Sequence, residues 1–161
     1  MRNNDYIKDL VNLETMSEDA RLTYMISVTL VDMDKIDLEN TMRKLNKMVA
    51  GVLYYKKVIL DMKERVENQR ELYGVHLPSI SDKLESVYAN YSLIDEQYNE
   101  AVSIIDTLKK HYKGMDINSP NSIKGLYETL DLNITNIDRS LISLAISLRG
   151  IIKTMELVNQ K

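Results

Sequence analysis

Apolar residues recur in alternating steps of four and three along the carboxy-terminal part of this chain. Between Ile123 and Val158, every position reached by these steps is apolar or aromatic. A repeat of 3.5 residues keeps one seam of a helix facing its partner, which is typical of helices that pack in a left-handed coil. Ser119 followed by Pro120 fits an N-cap and a proline at the first helical position. We therefore predict a long packed helix over residues 120–159.

Two further segments carry the same repeat. Steps from Leu77 to Tyr112 meet only apolar or aromatic residues and predict a helix over 79–113. Steps from Leu45 to Tyr73 meet one polar residue, Gln69, and Leu38 extends the repeat one heptad earlier, so we predict a third helix over 38–73. The connections Gly74–Pro78 and Gly114–Ser119 are about five or six residues long. Because such loops are short, helices adjacent in sequence must run antiparallel.

The amino-terminal part constrains the fold less, because no glycine or proline precedes Gly51. An asparagine near the start can cap a helix over 4–14, and Thr15 with Glu18 has the spacing of a capping box for a helix over 17–34. The apolar repeat loses its phase near residues 34–37, where we place a turn. The alternative is one uninterrupted helix from about 18 to 73.

These segments predict an all-α fold in one domain over residues 1–161. The architecture we expect is an elongated antiparallel helical bundle or coiled coil with three long helices and one or two shorter amino-terminal helices. A chain of 161 residues suits a single core. No apolar run approaches the ~20 residues of a membrane span, and the first residues have no apolar signal segment. We therefore expect no membrane association, and a cytoplasmic location or a place in a virion.

The carboxy-terminal helix carries more apolar residues than one seam uses. A second stripe consists of Ile142, Ala145, Ile146 and Ile152, and serines are interspersed along it. One explanation is contact with two neighbouring helices of the same chain. The other is an interface with a second copy or with another protein, where small serines permit close approach. We take these four residues as the candidate interface.

The residues that carry chemistry are scarce. The chain has no cysteine, and its two histidines, His76 and His111, fall near opposite ends of one predicted helix. No Glu-x-x-His pair and no glycine-rich phosphate loop occurs. We predict no catalytic residue, no cofactor, no metal ligand and no small-molecule substrate. Net charge is −3, and acids interleave with the basic residues between 43 and 70, so we expect a mixed solvated face and no nucleic-acid partner.

One short motif points to a different function. Arg70 and His76 match the loose Arg-x(4–6)-His pattern and make this segment resemble HEPN ribonucleases, which are also all-helical. The resemblance covers seven residues and implies RNA cleavage by Arg70 and His76. Gly74 and Pro78 flank the histidine, which departs from the family's pattern by placing His76 in a turn.

Long rods present surface and no evident concavity, whereas enzymes favour concave pockets. We therefore expect a non-catalytic helical interaction or structural protein that forms a homo-oligomer. Isoleucine, asparagine, lysine and tyrosine supply 53 of the 161 residues. Their codons are AT-rich, which favours a phage or mobile-element protein of a virion or its assembly. The alternative is a small helical inhibitor or chaperone-like binder of a single host or viral protein.

Overall fold

The protein is helical throughout the residues that its computed structural model describes, which are 2–27, 35–111 and 120–159. No strand occurs in these ranges, so the predicted all-α class is confirmed. A single 3₁₀ turn over Gly74–His76 precedes the fifth α-helix. The α-helices are α1 (Arg2–Ser27), α2 (Lys35–Leu53), α3 (Lys56–Asn68), α4 (Arg70–Tyr73), α5 (Leu77–His111) and α6 (Pro120–Asn159).

The seam residues of the heptad repeats form the core. On α6, each seam position from Leu130 to Val158 is buried, and Tyr127 packs against the same cluster while half-buried. On α5, the seam is buried from Ile80 to Leu108 except at Tyr98, which is also half-buried. Burying apolar area at about 25 cal/mol per Å² makes these seams the main source of stability.

Side-chain contacts show how the helices run against each other. Asn90 of α5 meets Ser143 of α6, and Gln97 meets Asn133, so α5 and α6 are antiparallel. Tyr98 of α5 donates its hydroxyl hydrogen to Asn46 of α2 at 2.5 Å. On the other side, α1 packs against both α6 and α2. The core therefore lies between α1, α5, α6 and the α2–α3 segment.

The expected break between residues 14 and 17 does not occur, because α1 is continuous over Arg2–Ser27. Thr15 does not cap a helix; its hydroxyl donates to the carbonyl of Val11 at 2.9 Å. Ser17 likewise donates to the carbonyl of Leu13 at 3.0 Å. Hydroxyls that bond back four residues leave the backbone helical. Tyr6, Leu10, Leu13 and Tyr24 extend one buried face along this helix.

The alternative of one helix from about 18 to 73 is also wrong. Met16 of α1 lies against Gly51 of α2, at a distance that would bring an added Cβ to 2.8 Å from the Met16 sulfur. In a single straight helix, residues 35 positions apart would be separated by roughly 50 Å. The chain therefore reverses direction between α1 and α2, and the turn predicted near 34 falls partly in residues 28–34, outside the described ranges.

The predicted helix over 38–73 is interrupted twice. Tyr54 and Tyr55 form a tight turn, in which the Tyr55 amide donates to the Val52 carbonyl at 3.0 Å. At Gln69, the amide is shared between the carbonyls of Arg65 and Val66, both at 3.2 Å. Both interruptions include a seam residue, Tyr55 or Gln69, whose side chain ends in a polar group. Tyr55 and Gln69 are both half-buried, and the Oε1 atom of Gln69 is buried with no hydrogen-bond partner among the described residues.

The connection after α4 is shorter than the predicted loop. Gly74 has φ +48°, a conformation that favours glycine, and ends α4 as the sequence indicates. The 3₁₀ turn then leads directly into α5, which begins at Leu77 rather than at residue 79. The other predicted connection, Gly114–Ser119, lies outside the described residues, as do Tyr112 and Lys113. In the described ranges, no helix has an apolar stretch long enough to cross a membrane.

Candidate protein-interaction surface

The four candidate interface residues of α6 do not share one environment. Ala145 and Ile152 are buried, and Ile142 is half-buried. Ile146 is 59% exposed. Because α1 packs along this side of α6, contact with a second helix of the same chain accounts for Ala145 and Ile152. An interface role for Ile146 stays a prediction.

The interspersed serines face a different neighbour from these apolar residues. Asn90 of α5 donates to the hydroxyl of Ser143 at 3.0 Å. Ser147 donates to the hydroxyl of Ser86, also on α5, at 3.2 Å. Ser143 and Ser147 thus contact α5 within the chain and are not spare surface for close approach by a partner.

Ion pairs hold α1 against α6. Arg21 Nε lies 2.9 Å from Asp138 Oδ1. Further along, Arg149 pairs with both Glu14 and Glu18. The two sets of pairs fix an antiparallel register, since the later α1 residue meets the earlier α6 residue. Sequence reasoning missed them because it compared charges only within one segment; the spacing of Glu14 and Glu18, four residues apart on one face, was the available signal.

Between α1 and α6 lies a cavity of about 200 Å³ that is partly open to solvent. We call it the α1–α6 groove. Half of its lining residues are apolar, all four of them on α6, and the other half are polar or charged. The groove is lined by Ser17, Glu18, Arg21, Leu141, Ile142, Ala145, Ile146 and Arg149.

Both α1 and α6 carry large apolar side chains that are exposed. Ile146 lines the groove and is 59% exposed, the highest value among the large apolar side chains of α6 over residues 125–158. On α1, Leu22 is 51% and Met25 is 54% exposed, and both follow Glu18 and Arg21 on the side that faces α6. Leu22 and Met25 do not line the groove itself. Exposed apolar side chains that form one patch are typical of a protein-binding surface.

Most of the described groups with a shifted pKa are tyrosines whose pKa is raised by burial. Burial raises the pKa of Tyr24 well above its ordinary value, and the carboxylates of Asp131 and Asp138 raise it further. Burial also raises the pKa of Tyr73 to about 12. Both groups are buried against neighbouring helices, so these shifts reflect packing rather than an acid or base exposed to a substrate.

The residues that resemble the HEPN motif lie on separate elements. Arg70 is the first residue of α4 and is exposed, whereas His76 ends the 3₁₀ turn. The surface depression beside Arg70 is lined by residues 68–72 and does not include His76. The structure thus places the histidine in a turn, as Gly74 and Pro78 predict, and RNA cleavage stays untested.

Lys63 and Arg65 of the basic stretch between 43 and 70 contact other helices of the chain. Lys63 pairs with Glu85 of α5, and this hydrogen bond raises the pKa of Lys63. Arg65 lies 5.3 Å from the ring centroid of Tyr6, a cation–π distance. Within the described ranges, no three histidine or acidic side chains come together in a way that would hold a metal ion.

Comparisons with protein-family models, with curated proteins and with solved structures find no match to this chain.

Proposed function

We infer that the chain is a non-catalytic interaction or structural protein, built as an elongated antiparallel helical bundle, whose binding surface is the α1–α6 groove and its apolar rim. One observation carries this proposal: Ile146, on the groove, and Leu22 and Met25, on the neighbouring helix α1, are each more than half exposed. Full burial of such a side chain from water is worth roughly 1.5–3 kcal/mol, and about half of that remains to be gained when a partner covers each of them.

The proposed mode of action is self-association in the cytoplasm or in a virion. The composition that favours a phage or mobile element supports the virion setting by association. A single-partner inhibitor or chaperone-like binder would use the same groove. The self-associating protein and the single-partner binder differ in the oligomeric state of the purified chain, since a binder is a strict monomer without its partner.

Site-specific photo-crosslinking tests the surface. A photoreactive amino acid is placed at Ile146, and at Leu60 as the matched control. Leu60 is 41% exposed on α3, one turn from Lys63, which faces α5 rather than the groove. We expect discrete adducts, of the chain with itself or with one other protein, from position 146 and none from position 60. Equal, diffuse crosslinking from both positions would contradict the proposal.

A further inference from the structure

The side chain of Met16 on α1 packs directly onto the backbone of Gly51 on α2. A Cβ atom added at Gly51 would stand 2.8 Å from the Met16 sulfur, 3.1 Å from its Cβ and 3.2 Å from its Cγ. A helix interior disfavours glycine relative to alanine, so Gly51 weakens α2 unless the missing side chain serves a contact. The close approach of Met16 is that contact, and it joins α1 to α2.

Met16 is also open to water on its outer side. It is 40% exposed, whereas Met48, Met62 and Met155 are buried, with 3% exposure or less. Met25, further along α1, is 54% exposed. A small reagent dissolved in water therefore reaches Met16 and Met25 in the folded protein, and it does not reach the three buried methionines.

We propose that Met16 is a site of oxidation by hydrogen peroxide, and that its sulfoxide loosens α1 from α2. The thioether sulfur attacks one peroxide oxygen, so that an S–O bond forms while the O–O bond breaks. The proton on the transferred oxygen passes to the departing hydroxide. The sulfur loses two electrons and becomes a sulfoxide, and the peroxide is reduced to water.

The contact with Gly51 determines what oxidation does at this position. A sulfoxide is polar and carries an additional oxygen on a pyramidal sulfur. The side that faces Gly51 has no room for a further atom, because even a Cβ there would force a shift. The oxidised side chain must therefore turn away from Gly51 or move α1 away from α2. Either change removes the packing between the two helices.

Met25 is the matched control on the same helix. It is more exposed than Met16, and it lies nine residues further along α1, which is roughly 13 Å away. The atoms that approach Gly51 most closely all belong to Met16. The sulfoxide of Met25 should therefore form as readily and leave the contact between α1 and α2 intact.

Treatment of the purified full chain with hydrogen peroxide tests the proposal, with peptide mass spectrometry to locate sulfoxides and urea denaturation to measure stability. We expect Met16 and Met25 to be oxidised before Met48, Met62 and Met155. The urea midpoint of the oxidised wild-type chain should fall by roughly 0.5–1 M. Met16→Leu should prevent most of this fall, and Met25→Leu should not. Methionine sulfoxide reductases for both epimers, with dithiothreitol as reductant, should restore the wild-type midpoint.

A second pair of variants reports the same contact without an oxidant. Glutamine has nearly the length and helix propensity of methionine but ends in a polar group. Met16→Gln should lower the urea midpoint by a similar amount and speed hydrogen exchange in α1 relative to α5, whereas Met25→Gln should do neither.

Three results would each overturn the proposal. The first is a Met16 that stays reduced while Met25 is oxidised. The second is an oxidised Met16 with an unchanged urea midpoint. The third is a peroxide-treated Met16→Leu chain that loses as much stability as the treated wild-type chain.

Discussion

At the scale of single residues, stability depends on the burial of the seam side chains and on hydrogen-bond partners for those with a polar end. Leu144 is fully buried at the middle of the α6 seam, whereas Leu132 on the same helix is 57% exposed. These two leucines differ in environment and not in chemistry or local helix propensity. They therefore form a natural pair for measuring how much the core contributes.

Replacement of Leu144 by alanine should lower the free energy of unfolding by about 2–5 kcal/mol, because it removes buried carbons and leaves a cavity. Leu132→Ala should change it by less than about 0.5 kcal/mol. Urea denaturation followed by circular dichroism measures both. A loss below about 1 kcal/mol for Leu144→Ala would mean that the seam does not form the core.

Alkaline pH should destabilise the fold through its buried tyrosines. The pKa of Tyr73 is raised to about 12, and that of Tyr24 is raised as well. The unfolded chain releases these protons near pH 10, before the folded chain does, so stability is full below about pH 10 and falls as pH rises toward about 12. Urea midpoints across this range measure the loss. Tyr73→Phe should make the free energy of unfolding depend less steeply on pH between about 10 and 12. An unchanged dependence would show that other groups cause the loss of stability.

At the scale of elements, helix ends and helix contacts are set by a few special positions. Gly74 has a positive φ and ends α4, while Gly125 lies inside α6. An added Cβ would meet no atom within 4 Å at either glycine. Space is therefore equal at the two positions, and only the backbone conformation differs.

Gly74→Ala should lower the free energy of unfolding by about 1 kcal/mol or more, because alanine is strained at positive φ. Gly125→Ala should raise it by up to about 1 kcal/mol, because alanine is the better helix former. Thermal or urea unfolding of the two variants measures the sign of each change in the free energy of unfolding. If Gly74→Ala proves neutral, the turn does not need a left-handed residue.

The contact between α5 and α6 contains a polar seam. Gln97 Oε1 accepts hydrogen bonds from the side-chain amides of Asn133 at 2.8 Å and Asn136 at 3.2 Å. Asn133 is buried, and its Oδ1 has no partner among the described residues. Buried amides of this kind stabilise little and instead favour one register over its neighbours.

Gln97→Leu should lower the free energy of unfolding by about 1–3 kcal/mol, because it leaves the buried Asn133 amide without its acceptor. The double variant with Asn133→Leu should recover much of this loss, since both members of the pair are then apolar. A double-mutant cycle measured by urea denaturation gives the coupling. Strict additivity would show that the two amides do not depend on each other.

At the scale of the whole molecule, a single buried cluster extends from α1 to α6. Tyr6 and Leu10 at one end of the chain and Met155 and Val158 at the other belong to the same core. Each helix therefore buries its apolar face only against the other helices of the bundle. The helices should be lost together.

Unfolding by urea should be one cooperative transition. Far-ultraviolet circular dichroism reports the helices, and fluorescence of the ten tyrosines reports their packing. We expect the two curves to coincide. Separate midpoints would mean that part of the bundle, such as α1, detaches before the rest.

The heptad repeat by itself determined the all-α class, the range of α6 and the buried seams, because a 3.5-residue period is a local property that only a packed helix satisfies. The end of α4 at Gly74 was also predictable, since glycine relieves a local backbone strain. The capping-box spacing at Thr15 gave a wrong prediction of a helix start, because a hydroxyl can donate to a carbonyl four residues back in a continuous helix as readily as it can cap a helix.

Only the tertiary structure decided which face of each helix meets which neighbour. Ala145 and Ile152 are buried while Ile146 is exposed, although the sequence places all three on one apolar stripe. The α1–α6 groove and the pairing of Arg149 with two acids more than 130 residues away arise from helix register. Register depends on the summed packing of all seams at once, and no single segment of the chain contains that information.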